Sequence, residues 1–180
     1  MICLLGKCCT GKTTVLNELV KLGYKPIVSY TTRRPRPGEL EGITYNYVSD
    51  KEFESMKEMG FFAETTAYEV YNGEIWKYGT AKCDLTGDKV IISNPEGVKN
   101  LRRNKEIDMK VFLLLASNGE IWNRLRQRGD NSDESFRRIA ADEKDFEGIN
   151  DYIDFAIRTD GKLSAKDVAE LIDEIYRTNC

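Results

Sequence analysis

The sequence predicts an α/β fold: a parallel sheet with helices on both faces, an antiparallel insertion between two of its strands, and a short lid. Three observations carry this expectation. Short apolar runs recur with helical segments between them, as parallel strands joined by crossover helices require. A glycine-bracketed loop, residues 6–13, directly follows the first apolar run and opens a helix. The stretch 31–80 departs from that alternation, with turn residues and strand-like patterning instead.

The runs 2–5, 27–29, 90–92, 111–115 and 153–157 are the expected parallel strands. After the first, Val15, Leu19 and Leu22, with Leu16 and Val20 beside them, mark one face of a helix. Pro35, Pro37 and Gly38 then open the irregular stretch, which continues into an alternation over 43–48. Asn72-Gly73, between 68–71 and 74–78, is a hairpin signal because both central turn residues tolerate positive φ. Ser49 with Glu52, Ser117 with Glu120, and Ser164 with Asp167 have capping-box spacing and mark three helix starts. The polar segment 129–132 lies between two Arg-bearing helical stretches and reads as part of a lid. Near the C-terminus, Val168, Leu171, Ile172 and Ile175 mark one more helix face.

A length of 180 residues fits one domain. Hydrophobic residues at 41% and charged residues at 32% describe a globular chain, and no apolar run approaches the ~18–20 residues of a membrane span. The absence of histidine excludes Ser-His and Cys-His nucleophilic pairs, a histidine base and histidine metal ligands. Twenty-seven Lys and Arg against 30 Asp and Glu leave a net charge of −3, so a protein that coats nucleic acid is not expected. Cys3, Cys8, Cys9, Cys83 and Cys180 are odd in number and lack CxxC spacing, which points to reduced thiols rather than disulfides or a zinc site. No secretory signal precedes the first run, and the chain is expected in the cytoplasm as a monomer or small homo-oligomer.

Gly6-Lys7-Cys8-Cys9-Thr10-Gly11-Lys12-Thr13 fits GxxxxGK[ST] in the strand-to-helix context its mechanism requires. Gly6 and Gly11 let backbone N–H groups turn inward around phosphate, and the helix N-terminus adds favourable partial charge. Lys12 is placed to reach β- and γ-phosphates, and the Thr13 hydroxyl to ligate Mg²⁺. The loop residues through Thr14 form the expected ATP site. By itself this loop does not separate a GTPase, an ATPase motor and a small-molecule kinase.

The second substrate is read from 31–80. Arg33, Arg34 and Arg36 cluster near Ser29, and guanidinium forks suit bidentate phosphate contact. The run Ser29-Tyr30-Thr31-Thr32-Arg33-Arg34-Pro35-Arg36-Pro37-Gly38-Glu39, continuing to Gly42, Tyr45 and Val48-Ser49, resembles the signature of guanylate kinases. Glu64 after Phe61-Phe62-Ala63, Tyr78-Gly79-Thr80, Arg124-Leu125, Arg128-Gly129 and Arg138-Ile139 match in order, so the resemblance reaches from the phosphate loop to about residue 160.

The resemblance implies a nucleoside monophosphate kinase with a core (1–30, 81–128 and 139–180), a GMP-binding insertion (31–80) and a lid (129–138). It implies that Ser29, Arg33, Arg36, Tyr45 and Tyr78 hold the GMP phosphate and that Glu64 and Thr80 read guanine. Lys12, Arg36, Arg124 and Arg138 would surround the transferring group, with Arg128 on the ATP side. The groups suit the chemistry: guanine offers N1–H and NH₂ donors to a carboxylate and O6 to a hydroxyl, whereas adenine N1 is an acceptor. The reaction would be ATP + GMP → ADP + GDP with Mg²⁺, between small-molecule substrates. Two positions depart from the family's Leu-Asp-Ile-Asp: Asn94 replaces the second acid, which helps bind the guanine amino group, and Ile92 the first, close to the metal. Two other readings stay open. One is a related P-loop kinase for another acceptor, a nucleoside monophosphate or ribose bisphosphate; the other is a non-catalytic binding module.

Overall fold

The computed structural model describes residues 1–179 except Pro37, Tyr71, Asn72, Thr86, Asp130 and Asn131, and the side chains of Ser132, Asp133, Glu134 and Arg138. In chain order the elements are β1 (Ile2–Leu5), α1 (Lys12–Lys21), β2 (Lys25–Pro26), β3 (Tyr30–Thr31), β4 (Asn46–Tyr47), α2 (Asp50–Glu58), β5 (Phe62–Glu69), β6 (Ile75–Ala81), β7 (Lys89–Ile92), α3 (Pro95–Arg103), β8 (Lys110–Leu115), α4 (Asn118–Gln127), α5 (Ser132–Asp145), β9 (Phe155–Arg158) and α6 (Ala165–Thr178).

Five strands form one parallel sheet in the order β2-β7-β1-β8-β9. Both faces are covered, which is why its strands read as unbroken apolar runs rather than alternating ones. Ile2 and Leu4 of β1, with Phe112 and Leu114 of β8, pack toward Val15, Leu19, Val168 and Ile172 of α1 and α6. Their neighbours Cys3, Leu5, Val111 and Leu113 face the other way, toward Val98 and Leu101 of α3. Each fully buried Leu or Ile contributes about 1.5–3 kcal/mol, so the two layers hold β1 rigidly at the centre. The chain leaves β1 toward one side of the sheet and later returns to the other, so the C-terminal end of β1 lies at the switch point where α/β sheets bind ligands.

Several elements differ from expectation in extent. The second strand is assigned two residues earlier, at Lys25–Pro26; Ile27 is buried and its N–H still donates to Val90 O at 2.8 Å, after which the chain leaves the sheet. The last strand starts at Phe155 because residues 150–152 form a 3₁₀ turn. Full capping boxes form at Ser49 and Ser164, but only half of one at Ser117. There Glu120 turns its carboxylate to Arg124 Nε at 2.8 Å, and Ser117 N–H goes to Asp160 Oδ2 at 2.7 Å. Leu22 is exposed because α1 ends at that residue.

Residues 30–81 supply a second sheet, ordered β4-β3-β6-β5. The β5–β6 and β3–β6 pairs are antiparallel as expected, but β3 and β4 pair in parallel, so the insertion is mixed. The alternation over 43–48 yields only the two-residue β4. The β5–β6 connection closes through Val70 N–H to Glu74 O and Gly73 N–H to Val70 O, with Gly73 at φ 78°; Asn72 of the expected turn lies outside the described residues. Of the stretch read as a lid, 132 onward is helical, the start of α5, and Asp130 and Asn131 lie outside the described residues. No helix among the described residues is long and apolar enough to cross a membrane.

Candidate active site

The loop after β1 wraps around its own lysine. Lys12 Nζ donates to Gly6 O at 2.6 Å and Lys7 O at 2.8 Å, and Thr10 Oγ1 donates to Lys7 O at 2.9 Å. Gly6 is dictated by packing: a Cβ there would stand 2.5 Å from Thr10 Oγ1 and 2.7 Å from Leu114 O. Gly11 is dictated by conformation, since it takes φ 92° as the N-cap of α1.

That cap sets α1 apart. Ser49, Asn94, Ser117 and Ser164 each offer a side-chain acceptor to the first turns of α2, α3, α4 and α6, whereas Gly11 offers none to α1, whose first turn also carries no acidic residue. The first N–H groups of a helix need an acceptor, and here they carry the positive end of the dipole to an open cavity. Such an end suits an anion.

Two cavities meet at this point. One, of about 790 Å³, is lined by Cys8, Cys9, Gly11, Lys12, Thr13 and Thr14 of the loop and α1, by Arg124 and Arg128 of α4 and its C-cap, and by Thr159 after β9. The other, of about 520 Å³, is lined by Gly6, Ser29, Tyr45, Glu64, Tyr78, Thr80 and Asn94, among others. Cys8, Lys12, Arg36, Arg137, Ala141 and Asp142 line both. The lysine of the loop and two arginines therefore stand where contents of the two cavities would touch.

The second cavity owes its wall to strand periodicity. Glu64, Thr66 and Tyr68 of β5 stand opposite Thr80, Tyr78 and Trp76 of β6, and all six line it. A register irregularity between Phe62 and Glu64 precedes this ladder. Thr80 Oγ1 donates to Glu64 Oε1 at 2.7 Å, while Glu64 Oε2 is buried with no partner. Burial pushes the Glu64 carboxyl up from its ordinary value, against the lowering effect of the Thr80 hydrogen bond. Tyr45 and Tyr78 meet edge to face, 5.9 Å between ring centroids.

The arginines divide by what they touch. Arg36 lines both cavities. Arg33 lines neither: its buried guanidinium forks onto Glu39, with both contacts at 2.6 Å, and lies 5.0 Å from the Tyr45 ring centroid. Glu39 also accepts from Arg36 N–H at 2.7 Å and Tyr47 Oη at 2.8 Å. Burial alone would raise this carboxyl, but Arg33 and the other donors outweigh it and hold the pKa down at about 2. Arg33, expected to hold the GMP phosphate, is engaged with Glu39 in a knot that also takes in the Arg36 N–H and so fixes the loop bearing Arg36. Arg124 is likewise engaged, by Glu120 through Nε, Cys9 O at 3.0 Å and Thr159 O at 2.7 Å, so it braces the phosphate loop against β9. Arg128 reaches Cys9 Sγ at 3.5 Å. Lys7 and Thr10 lie outside the cavity linings; Lys7 Nζ approaches Glu143 at 3.8 Å and Thr10 is buried. The side chain of Arg138 lies outside the described residues.

Of α5 the sequence reading singled out only Arg138. Arg137, Ala141, Asp142 and Asp145 share a helix face and line the second cavity, and Asp142 Oδ2 accepts the Cys8 N–H of the phosphate loop at 2.6 Å. The i, i+4, i+5, i+8 spacing was the available signal. It was hidden because the helix is charged on every side. Burial lowers the pKa of the Lys12 ammonium, and the Asp142 carboxylate opposes that shift.

The sequence model of the guanylate kinase family matches residues 1–174. A guanylate kinase of Clostridioides difficile (strain 630) is 33% identical over 171 residues, covering 90% of this chain and 81% of the relative. Among solved structures, guanylate kinase from Anaplasma phagocytophilum superposes with a TM-score of 0.68 at 22% identity, covering 99% of this chain and 85% of that one. Shikimate kinase from Acinetobacter baumannii gives 0.57 at 14% identity, covering 99% and 93%. These two share the fold. With a phosphate loop at the centre of the parallel sheet, a second cavity walled by the inserted strands, and a family match over nearly all its length, this chain belongs to the guanylate kinase family.

Proposed function

We propose that this protein transfers the γ-phosphoryl group of ATP to GMP, or dGMP, giving ADP and the diphosphate. The observation that carries the reading is the junction of the two cavities at Lys12, Arg36 and Arg137, with a carboxylate and a hydroxyl, Glu64 and Thr80, on the wall of the second. The loop cavity takes the triphosphate on the α1 N-terminus. The second cavity takes the monophosphate, its phosphate toward Arg36, Tyr45 and Tyr78 and its base toward Glu64.

A phosphate monoester loses its second proton near pH ~6, so the attacking oxygen is already deprotonated at neutral pH and no base is needed. Catalysis then consists of positioning and charge stabilisation. Lys12 and Arg36 stand at the junction to meet developing charge, and Arg124 keeps the loop in place through Cys9 O. The Thr13 hydroxyl, on the first cavity, is a hard oxygen donor of the kind that would hold a Mg²⁺ ion there. When bound, that ion would neutralise charge on the phosphates. Ile92 lines the second cavity and offers it no oxygen ligand.

The test is ADP release with ATP and magnesium across GMP, dGMP, AMP, CMP and UMP. Turnover of GMP and dGMP alone supports the reading; AMP turnover equal to GMP overturns the role of Glu64. No turnover with any acceptor favours the binding module. Triphosphate binding also requires Cys8 N–H to exchange Asp142 for a phosphate oxygen. Asp142→Ala is therefore expected to tighten ATP binding several-fold in calorimetry, by removing a competing anion. Weakened binding would show that Asp142 serves the bound state instead.

A further inference from the structure

A carboxylate from another element stands against the phosphate loop. Asp142 of α5 accepts Cys8 N–H at 2.6 Å, and the next residue, Glu143, lies 3.8 Å from Lys7 Nζ. Burial and the Asp142 carboxylate push the Cys8 thiol up to about 12, so its proton stays on sulfur and no thiolate repels Asp142. Asp142 also favours the Lys12 ammonium against the effect of burial. The same carboxylate faces the second cavity. Arg137, Ala141, Asp142 and Asp145 share a face of α5 and line that cavity, and Arg137 and Asp142 line the first as well. Burial, then Asp142, raises the Asp145 carboxyl, so like charges already oppose each other along this face. A dianionic phosphate that enters beside Arg36 and Arg137 pairs with the guanidinium groups and repels Asp142.

We propose that Asp142 is a specificity-determining residue that discriminates against water as the phosphoryl acceptor: its carboxylate competes with the triphosphate for the phosphate loop until an acceptor phosphate in the second cavity repels it. The proposal rests on the reading of the two cavities as donor and acceptor sites. The reaction it suppresses is ATP + H₂O → ADP + phosphate. There a water oxygen bonds to the γ-phosphorus, the bond to ADP breaks, and a water proton passes to solvent. That reaction needs the triphosphate seated with no monophosphate beside it, which is the arrangement Asp142 disfavours. The coupling is reciprocal: a triphosphate that displaces Asp142 removes a negative charge from the second cavity and tightens the monophosphate by the same factor.

The test is calorimetry of a non-hydrolysable ATP analogue with magnesium, with and without saturating GMP, in the wild-type protein, Asp142→Ala and Asp142→Asn. GMP is expected to tighten the analogue by roughly 5-fold or more in the wild type, the lower end of ordinary coupling. In Asp142→Ala the analogue should bind more tightly without GMP, and the gain from GMP should fall to within about 2-fold. Asp142→Asn keeps an acceptor for Cys8 N–H but no charge for the phosphate to repel, so it should lose the coupling too. In parallel, kcat/KM for ATP hydrolysis without acceptor, relative to transfer to GMP, should rise several-fold in both variants. A merely structural role for Asp142 would leave the coupling equal in all three proteins, which would overturn the proposal. Wild-type coupling in Asp142→Asn, or an unchanged ratio of hydrolysis to transfer, would overturn it as well. Failure of GMP to bind the wild type would instead overturn the underlying reading of the second cavity.

Discussion

Replacing Lys12 with Met is expected to lower kcat/KM for phosphoryl transfer by about 10³-fold or more while leaving the fold intact. Loss of one donor aimed at developing charge costs roughly 10²- to 10³-fold in other enzymes, and Lys12 carries a full charge at the junction of both cavities. It also ties Gly6 O and Lys7 O together, so its loss loosens the loop that must hold the triphosphate. Stability should not follow activity. Burial depresses the Lys12 pKa, which shows that its charge is held at a desolvation cost, and a Met of similar length relieves that cost. Steady-state kinetics with a thermal melt decides the matter: a kcat/KM within 10-fold of wild type refutes the assignment, and a melting point that falls with activity makes the loss structural.

Glu39→Ala is expected to destabilise the protein by about 3 kcal/mol, because it leaves the buried Arg33 guanidinium without its partner. It should also raise KM for the monophosphate, since the same carboxylate holds Arg36 N–H and Tyr47. The pH dependence has a definite sign. The folded pKa of Glu39 lies at about 2, below its ordinary value of 4.5, so its contribution is fully present above about 4.5 and is lost as the pH falls through 2. Denaturant titrations at pH 7 and pH 3 should therefore show a smaller difference between wild type and Glu39→Ala at the lower pH. An equal difference at both would show that the pair does not hold the loop.

The phosphate loop and the parallel core were legible because each rests on local rules. An apolar run followed by GxxxxGKT needs only neighbouring residues to specify strand, turn and helix. The doubly covered sheet likewise announces itself as continuous apolar runs. Arg33 was not legible in the same way. Its role depends on Glu39 and Tyr47, brought to it by loop closure, and an arginine facing phosphate has the same sequence as one facing a carboxylate. Ser117 shows this on a smaller scale, where a partner distant in sequence, Asp160, replaced half of a local capping box.

The sequence by itself determined the order of strands and helices, the anion-binding loop and the residue types gathered for two phosphorylated substrates, since these follow from periodicity, glycine placement and functional-group chemistry. Only the tertiary structure decided which side chains face the cavities. It committed Arg33 to Glu39 and Arg124 to Cys9 and Thr159, brought Asp142 to the loop, and turned the Asn94 amide so that its oxygen caps α3. The physical reason is that a polar atom has few hydrogen-bonding directions, and partners far away in sequence compete for each of them.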